Sequence, residues 1–213
     1  MKKVILFQGD SITDCLRDRN DDTKFGDGYP NLVKTSLGVD HPNDYIFYNR
    51  GCGGDRITDL YTRINCHAIN LKPDYMSVLV GVNDIWHGLA WGNGTGFERY
   101  EKIYNMYVEE IKAEFPNIKI MIMEPFVLKG ENTVRDDDPS YWKRMNEGVR
   151  RNAQIAQAVA QKQNVKFVEL QKLFDEAAKE RDDTYWLSDG VHPTAEGHEL
   201  IKREWLKAFE EIK

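Results

Sequence analysis

The sequence predicts an α/β protein: a three-layer α/β/α sandwich around a five-stranded parallel sheet. Three observations predict it. Five short apolar runs alternate with longer stretches of helical periodicity. The runs lack the strict two-residue alternation of strands with one wet face, as expected when helices cover both faces. Polar, glycine-rich segments follow the runs, where an open parallel sheet binds its ligands.

In chain order, "VILF" (4–7) is the first strand and leads directly into "GDSITD". "YIFYN" (45–49) is the second, followed by "NRGCGGDR" (49–56), and "YMSVLVG" (75–81) the third, followed by "GVNDIW" (81–86). The spacing of Tyr100, Ile103, Tyr104, Tyr107, Ile111 and Phe115 predicts a helix over 98–115, which Pro116 ends. "IKIMIM" (118–123) is the fourth strand, and the polar segment 124–140 follows it. Trp142, Met145, Val149, Ala153, Ala156 and Val159 mark a helix over 140–162, and "VKFVEL" (165–170) is the fifth strand. The segment "RDDTYWLSDGVHPT" (181–194) precedes a last helix that presents Ile201, Trp205, Phe209 and Ile212, with Thr194 as its N-cap. No repeat, linker or low-complexity tract interrupts this order, so residues 1–213 are expected to form a single domain.

Composition narrows the function classes. The 213 residues carry 29 Lys+Arg against 35 Asp+Glu, a net charge of −6, and no basic cluster. Nucleic acid and anionic membrane surfaces are therefore disfavoured partners. Cys15, Cys52 and Cys66 cannot all pair within one chain and none lies in a CxxC, which suits reduced thiols. The apolar run after "MKK" is shorter than a signal peptide needs, and no stretch approaches a membrane span. The expectation is a cytoplasmic protein.

Ser11 stands where the first strand ends, with Gly9 before it expected to open a sharp turn. A serine attacks an ester when a base takes its proton and a third group holds that base in one tautomer. Of five histidines, His41, His67 and His198 have bland contexts, and His87 follows the "GVND" segment. His192 lies in "SDGVHP", three residues after Asp189 and directly before Pro193, which biases its backbone toward extended angles. One loop can thus supply the base and its orienting carboxylate. Donors for a developing oxyanion are available at Gly53-Gly54 and at the side chain of Asn83. Each of these features alone is also what an ordinary turn contains.

The four blocks "GDSIT", "NRGCGGD", "GVND" and "DGVHP", taken in order, resemble the SGNH hydrolases, the GDSL esterase family. The resemblance spans residues 4 to about 205 and implies the flavodoxin-like SGNH hydrolase fold. It makes Ser11 the nucleophile, His192 the general base and Asp189 its orienting partner. It assigns the oxyanion hole to the Ser11 and Gly54 N–H groups and the Asn83 amide. Asp10 and Asp84 read as structural members of their motifs, Asp10 close enough to the substrate to be grouped with Trp86 and Trp186 at its binding surface. No cofactor and no metal site is expected.

"GDSITDC" with a polar insertion after it, "GVNDIW", and "EPF" after the fourth strand look most like the intracellular acetylxylan-esterase-like branch. That likeness implies removal of acetyl groups from sugars such as xylo-oligosaccharides. The polar edge loops with scattered aromatics, among them Trp86, Trp91, Trp142 and Trp186, suit a sugar better than a long acyl chain. Trp86 is expected to wall the acyl pocket. Two alternatives stay open: a lysophospholipase or thioesterase-type member of the same family, and a non-catalytic carbohydrate-binding protein on the same fold. The aromatic-rich termini and loops lean toward a homo-oligomer.

Overall fold

A computed structural model describes residues 2–213. Five parallel strands, β1 (Lys3–Gly9), β2 (Tyr45–Asn49), β3 (Tyr75–Leu79), β4 (Lys119–Met123) and β5 (Lys166–Val168), form one sheet in the order β2-β1-β3-β4-β5. The chain moves outward from β1 to β2, then returns to the other side of β1 as β3. Loops leaving β1 and β3 therefore diverge, and the crevice between them is the topological switch point of the sheet.

Alternation along the strands separates two cores. Ile5, Phe7, Met121 and Met123 face a layer that includes α2 (Tyr29–Asp40) and α10 (Ala195–Glu210). Leu6, Met76, Val78, Ile120 and Ile122 point the other way, into α3 (Ile57–Thr62) and α6 (Phe97–Glu114). The helix α7 (Tyr141–Gln163) contributes to both, with Met145 and Val149 in the first core and Ile155, Ala156 and Val159 in the second. Both faces are covered, which is why the strands read as near-continuous apolar runs.

The long helices over 98–115 and 140–162 occur within one residue of their expected ends, and Thr194 caps α10, its hydroxyl accepting from Gly197 N–H. The third and fifth strands are shorter than expected, ending at Leu79 and Val168. Several helices were not anticipated, and two of them bear on the site. The helix α2 begins at Tyr29-Pro30, and α5 (Val82–Trp91) begins inside the segment read as a polar turn. Gly81, at φ 138°, turns the chain into α5, so Asn83 and Asp84 stand on a first helical turn. No described helix is long and apolar enough to cross a membrane.

Aromatic rings pin α10 onto the sheet. Trp205 is fully buried, with its ring 5.4 Å from Phe7 and 5.0 Å from Phe209. Its indole N–H meets no acceptor, so its contribution is packing alone. Trp205→Ala is expected to cost about 3–5 kcal/mol of stability. Trp205→Phe, which sacrifices no hydrogen bond, should cost clearly less. Urea unfolding of the two variants checks the order; equal losses would contradict a packing role.

Candidate active site

The first helix, α1 (Ser11–Asp14), is a single turn that places Ser11 just past the end of β1. Asp10 caps it, one carboxylate oxygen accepting from Ile12 N–H at 3.0 Å. Gly9 is needed here for space rather than for a special backbone angle. A Cβ on it would lie 2.3 Å from Thr13 Oγ1 and 2.5 Å from the Leu79 carbonyl, so any side chain would push β1, α1 and β3 apart.

Ser11 Oγ lies 2.8 Å from His192 Nε2, and His192 Nδ1 lies 2.6 Å from Asp189 Oδ2. The other oxygen, Asp189 Oδ1, accepts from the N–H groups of Val191 and His192, both at 2.8 Å. A fourth donor was not foreseen: Asn132 Nδ2 donates to Asp189 Oδ2 at 2.8 Å. Asn132 sits in the segment after β4, and its only sequence signal is that position in a polar loop on the ligand-binding edge. Burial works against charge on Asp189, but the hydrogen bonds from the His192 ring and from the two backbone N–H groups hold its carboxyl well below the usual range. The same ring contact raises the His192 pKa above its ordinary value against the opposing effect of burial.

The second-strand loop is tied directly to the serine turn. Asp14 Oδ2 accepts from Gly53 N–H at 3.1 Å and from Arg19 Nη2 at 2.8 Å. Arg17 Nε donates to the Gly51 carbonyl at 2.9 Å, and Asn49 Nδ2 to the Thr13 carbonyl at 2.8 Å. Sequence reading did not single out Asp14, Arg17 or Asn49. Gly53 comes against Ser11, since a Cβ on it would lie 3.9 Å from Ser11 Cβ. Gly54 adopts φ +84°, a left-handed conformation that favours glycine. Asn83 is buried and donates one N–H to the Asp55 carbonyl at 3.1 Å, which joins α5 to this turn. An amide nitrogen carries two hydrogens, so one remains for another acceptor.

Asp10 and Asp84 are buried carboxyls, and burial raises both to about 7. Asp84 accepts from Ile57 N–H and links α5 to α3. Asp10 is capped into α1 with almost no exposed surface, which corrects its placement at the substrate surface. Trp186 is half-buried and is not among the residues around Ser11. Its indole N–H donates to the Ala177 carbonyl at 2.9 Å, its own carbonyl accepts from Thr194, and its ring packs on the main core. Trp86 does reach the constellation, with its ring centroid 6.1 Å from that of His192.

A cavity of about 340 Å³ opens beside Ser11, walled by Ile12, Asp14, Cys15, Leu16, Gly53 and Pro193 and by the rings of His192 and His198. Its walls are mostly apolar, unlike the polar surroundings expected of this edge, and Trp86 is not among them. His198 fills the structural role expected of it. Its Nδ1 accepts from Tyr29 N–H at 3.1 Å while Nε2 faces Cys15 Sγ at 3.4 Å. Burial, with a smaller push from His192, lowers its pKa to about 4. His41 lies beside Asp44, His67 beside Arg63, and His87 against Trp91.

Two titrations follow. The His192 imidazole should titrate above the ordinary histidine value of about 6.5, and Asp189→Asn should bring that midpoint down. Asn132→Ala should move it in the same direction by less. Histidine NMR across pH 4–9, with Ser11→Ala as the reference background, reads both; an unmoved midpoint in Asp189→Asn would contradict the pairing.

Comparison with known proteins gives one consistent result. Residues 7–200 match the GDSL-like lipase/acylhydrolase family. An acetylxylan esterase from Geobacillus stearothermophilus is 30% identical, over 95% of this chain and 92% of that one. The crystal structure of that organism's acetylxylan esterase Axe2 superposes with a TM-score of 0.84 at 29% identity, over 97% of this chain and 93% of that one. A structure from Parabacteroides merdae, described as a GDSL-like lipase, gives a TM-score of 0.90 at 36% identity, over 99% and 97% of the two chains. With a five-stranded parallel sheet between helical layers and a serine at its switch point, this chain belongs to the GDSL-like lipase/acylhydrolase family.

Proposed function

We propose that this esterase removes short acyl groups, acetyl above all, from sugar hydroxyls through Ser11, His192 and Asp189. The observation that carries the proposal is the unbroken chain Ser11 Oγ–His192 Nε2 and His192 Nδ1–Asp189 Oδ2, at 2.8 and 2.6 Å. The sugar substrate rests on the likeness to acetylxylan esterases over nearly the whole chain. Xylo-oligosaccharides are the first class to try.

In the reaction, Ser11 Oγ attacks the ester carbonyl as its proton passes to His192 Nε2. Asp189 stabilises the imidazolium and keeps the proton-bearing Nδ1 turned toward itself. The carbonyl oxygen, now an oxyanion, takes hydrogen bonds from the N–H groups of Ser11 and Gly54 and from the Asn83 amide. Gly53 N–H is already given to Asp14, so the neighbouring Gly54 is the donor of that pair. Ser11 begins α1, so its own N–H has no helical acceptor. Collapse of the intermediate expels the sugar alkoxide, which takes the proton from His192 and leaves acyl-Ser11. Water, deprotonated by the same imidazole, then releases the carboxylate and restores the serine.

The apolar cavity beside Ser11 favours a second reading, hydrolysis of longer acyl esters of the lysophospholipase or thioesterase kind. An acetyl group would fill only a small part of its 340 Å³. Rates on 4-nitrophenyl acetate, butyrate and octanoate separate the two. Acetate preference supports the deacetylase, and faster octanoate turnover replaces it with the lipid or thioester reading. Ser11→Ala should abolish the activity; turnover that survives it would mean another nucleophile.

Two further outcomes are expected. Asn83→Ala should lower kcat by about 10²–10³ with a smaller change in KM, since the donor acts on charge that develops only in the transition state. Thermal unfolding of that variant guards against a folding defect. As for pH, kcat/KM should fall as pH drops through the His192 pKa, because the protonated imidazole cannot accept the serine proton. Asp189 raises that pKa, so the acid limb should lie above about 6.5. A limb near the ordinary carboxylate range would remove His192 from the role of base.

A further inference from the structure

We propose that Trp91 is a stacking platform for a second sugar ring of the substrate, beyond the unit that carries the scissile ester. The inference rests on the reading of the substrate as an acetylated saccharide and specifies how more than one sugar unit would be held.

Trp91 is the last residue of α5 and is 66% exposed. Large aromatic surface left in water needs a reason, because covering it is worth more than for any other side-chain class. The ring is not loose. It lies 6.3 Å from Trp86 at an interplanar angle of 28° and meets His87 edge-on at 4.9 Å. Trp86 in turn stands 6.1 Å from His192. A Cβ on Gly54 would come within 3.7 Å of the His87 ring. His192, Trp86, Trp91 and His87 therefore form an aromatic arc that starts at the base and ends beside Gly54, with Trp91 as its exposed outer member.

The turn behind Trp91 is locked in place. Gly92, at φ +67°, closes the helix with its N–H on the Gly88 carbonyl at 3.2 Å, and Asn93 N–H bonds the His87 carbonyl at 3.0 Å. Arg56 Nη1 donates to the Asn93 carbonyl at 2.7 Å and to its side-chain oxygen at 3.0 Å, while Arg56 Nε is held by Asp59 at 2.8 Å. An indole fixed by such a turn and left 66% exposed is a flat surface on which the axial C–H face of a pyranose can lie. Two ring-to-ring steps from His192 to Trp91, of 6.1 and 6.3 Å, put the platform within reach of a neighbouring unit of an oligosaccharide whose ester sits at Ser11. The cavity walled by Cys15, Leu16 and Pro193 meets this arc only at His192, and the rings of Trp86, Trp91 and His87 are not among its walls, so it stays available to the acyl group.

The test compares wild type, Trp91→Ala and Trp91→Phe on acetylated xylotetraose and on 4-nitrophenyl acetate. The KM on the tetraose relative to that on the nitrophenyl ester should rise about threefold to tenfold in Trp91→Ala, with kcat on the tetraose held, and Trp91→Phe should restore most of the loss. In a Ser11→Ala background, titration with unacetylated xylotetraose should quench tryptophan fluorescence, and Trp91→Ala should remove that quench. A wild type that deacetylates the tetraose while Trp91→Ala keeps the same KM ratio overturns the platform and leaves the deacetylase reading standing. A wild type that cleaves the nitrophenyl ester but no acetylated saccharide overturns the deacetylase reading and the platform with it. A change of oligomeric state in Trp91→Ala with an unmoved KM ratio would give the indole to an interface between copies and also overturn the proposal.

Discussion

The close approach of β1 to β3 at Gly9 is the constraint on which the active edge depends. Two parallel strands are held so tightly at their carboxyl ends that the space for a single methyl group is already taken by Thr13 and the Leu79 carbonyl. That approach lets a one-turn helix start immediately after β1 and brings Ser11 up beside the loop that leaves β2. It also fixes the distance to α5, which starts three residues after β3. Were β1 and β3 forced apart, the serine and the Asn83 amide would be displaced relative to each other before any residue of the site itself had changed.

Around that contact, side chains reach from one segment to the next. Asp14 holds Gly53, Asn49 holds the Thr13 carbonyl, Asn83 holds the Asp55 carbonyl and Asn132 holds Asp189. These bonds join segments far apart in sequence. Loops are ordinarily the mobile part of an α/β fold. Here the cross-links tie the loops on the ligand-binding edge to one another, and the proposed oxyanion donors would benefit, since a donor that must reorganise during a reaction contributes far less.

Much of this was legible in the sequence because it lies in local chemistry. Apolar runs of four to seven residues can be read as strands when both faces are covered, and Tyr100 through Phe115 show their helix by spacing alone. Ser11, Gly54, Asn83 and the pair Asp189 and His192 are visible because they sit in four compact motifs, each after a different element. What was not legible depends on pairing across the chain. Asn132 looks like any loop asparagine until Asp189 is folded against it. Asp14 and Asn49 carry no signal beyond being polar. The helix α5 was hidden because "GVND" has the composition of a turn, and only the left-handed Gly81 shows how a turn becomes the first residues of a helix. Trp186 is close in sequence to His192, but its indole N–H is committed to the Ala177 carbonyl, a pairing that sequence proximity does not reveal.

The contact between His198 and Tyr29 bears on selectivity of proton transfer. Two imidazoles line one apolar cavity, and in isolation either could serve as a base. The Tyr29 N–H occupies Nδ1 of His198, so the single proton of the neutral ring sits on Nε2 and points at Cys15 Sγ. With its hydrogen on Nε2 that ring cannot take a proton from Cys15, and burial, which lowers its pKa to about 4, disfavours its cationic form. One backbone hydrogen bond thereby withdraws the second imidazole from the Cys15 thiol beside Ser11. In a cavity lined by a serine, a cysteine and two histidines, the ring nitrogen left facing a hydroxyl is His192 Nε2, because the Tyr29 N–H decides which nitrogen of His198 carries the hydrogen.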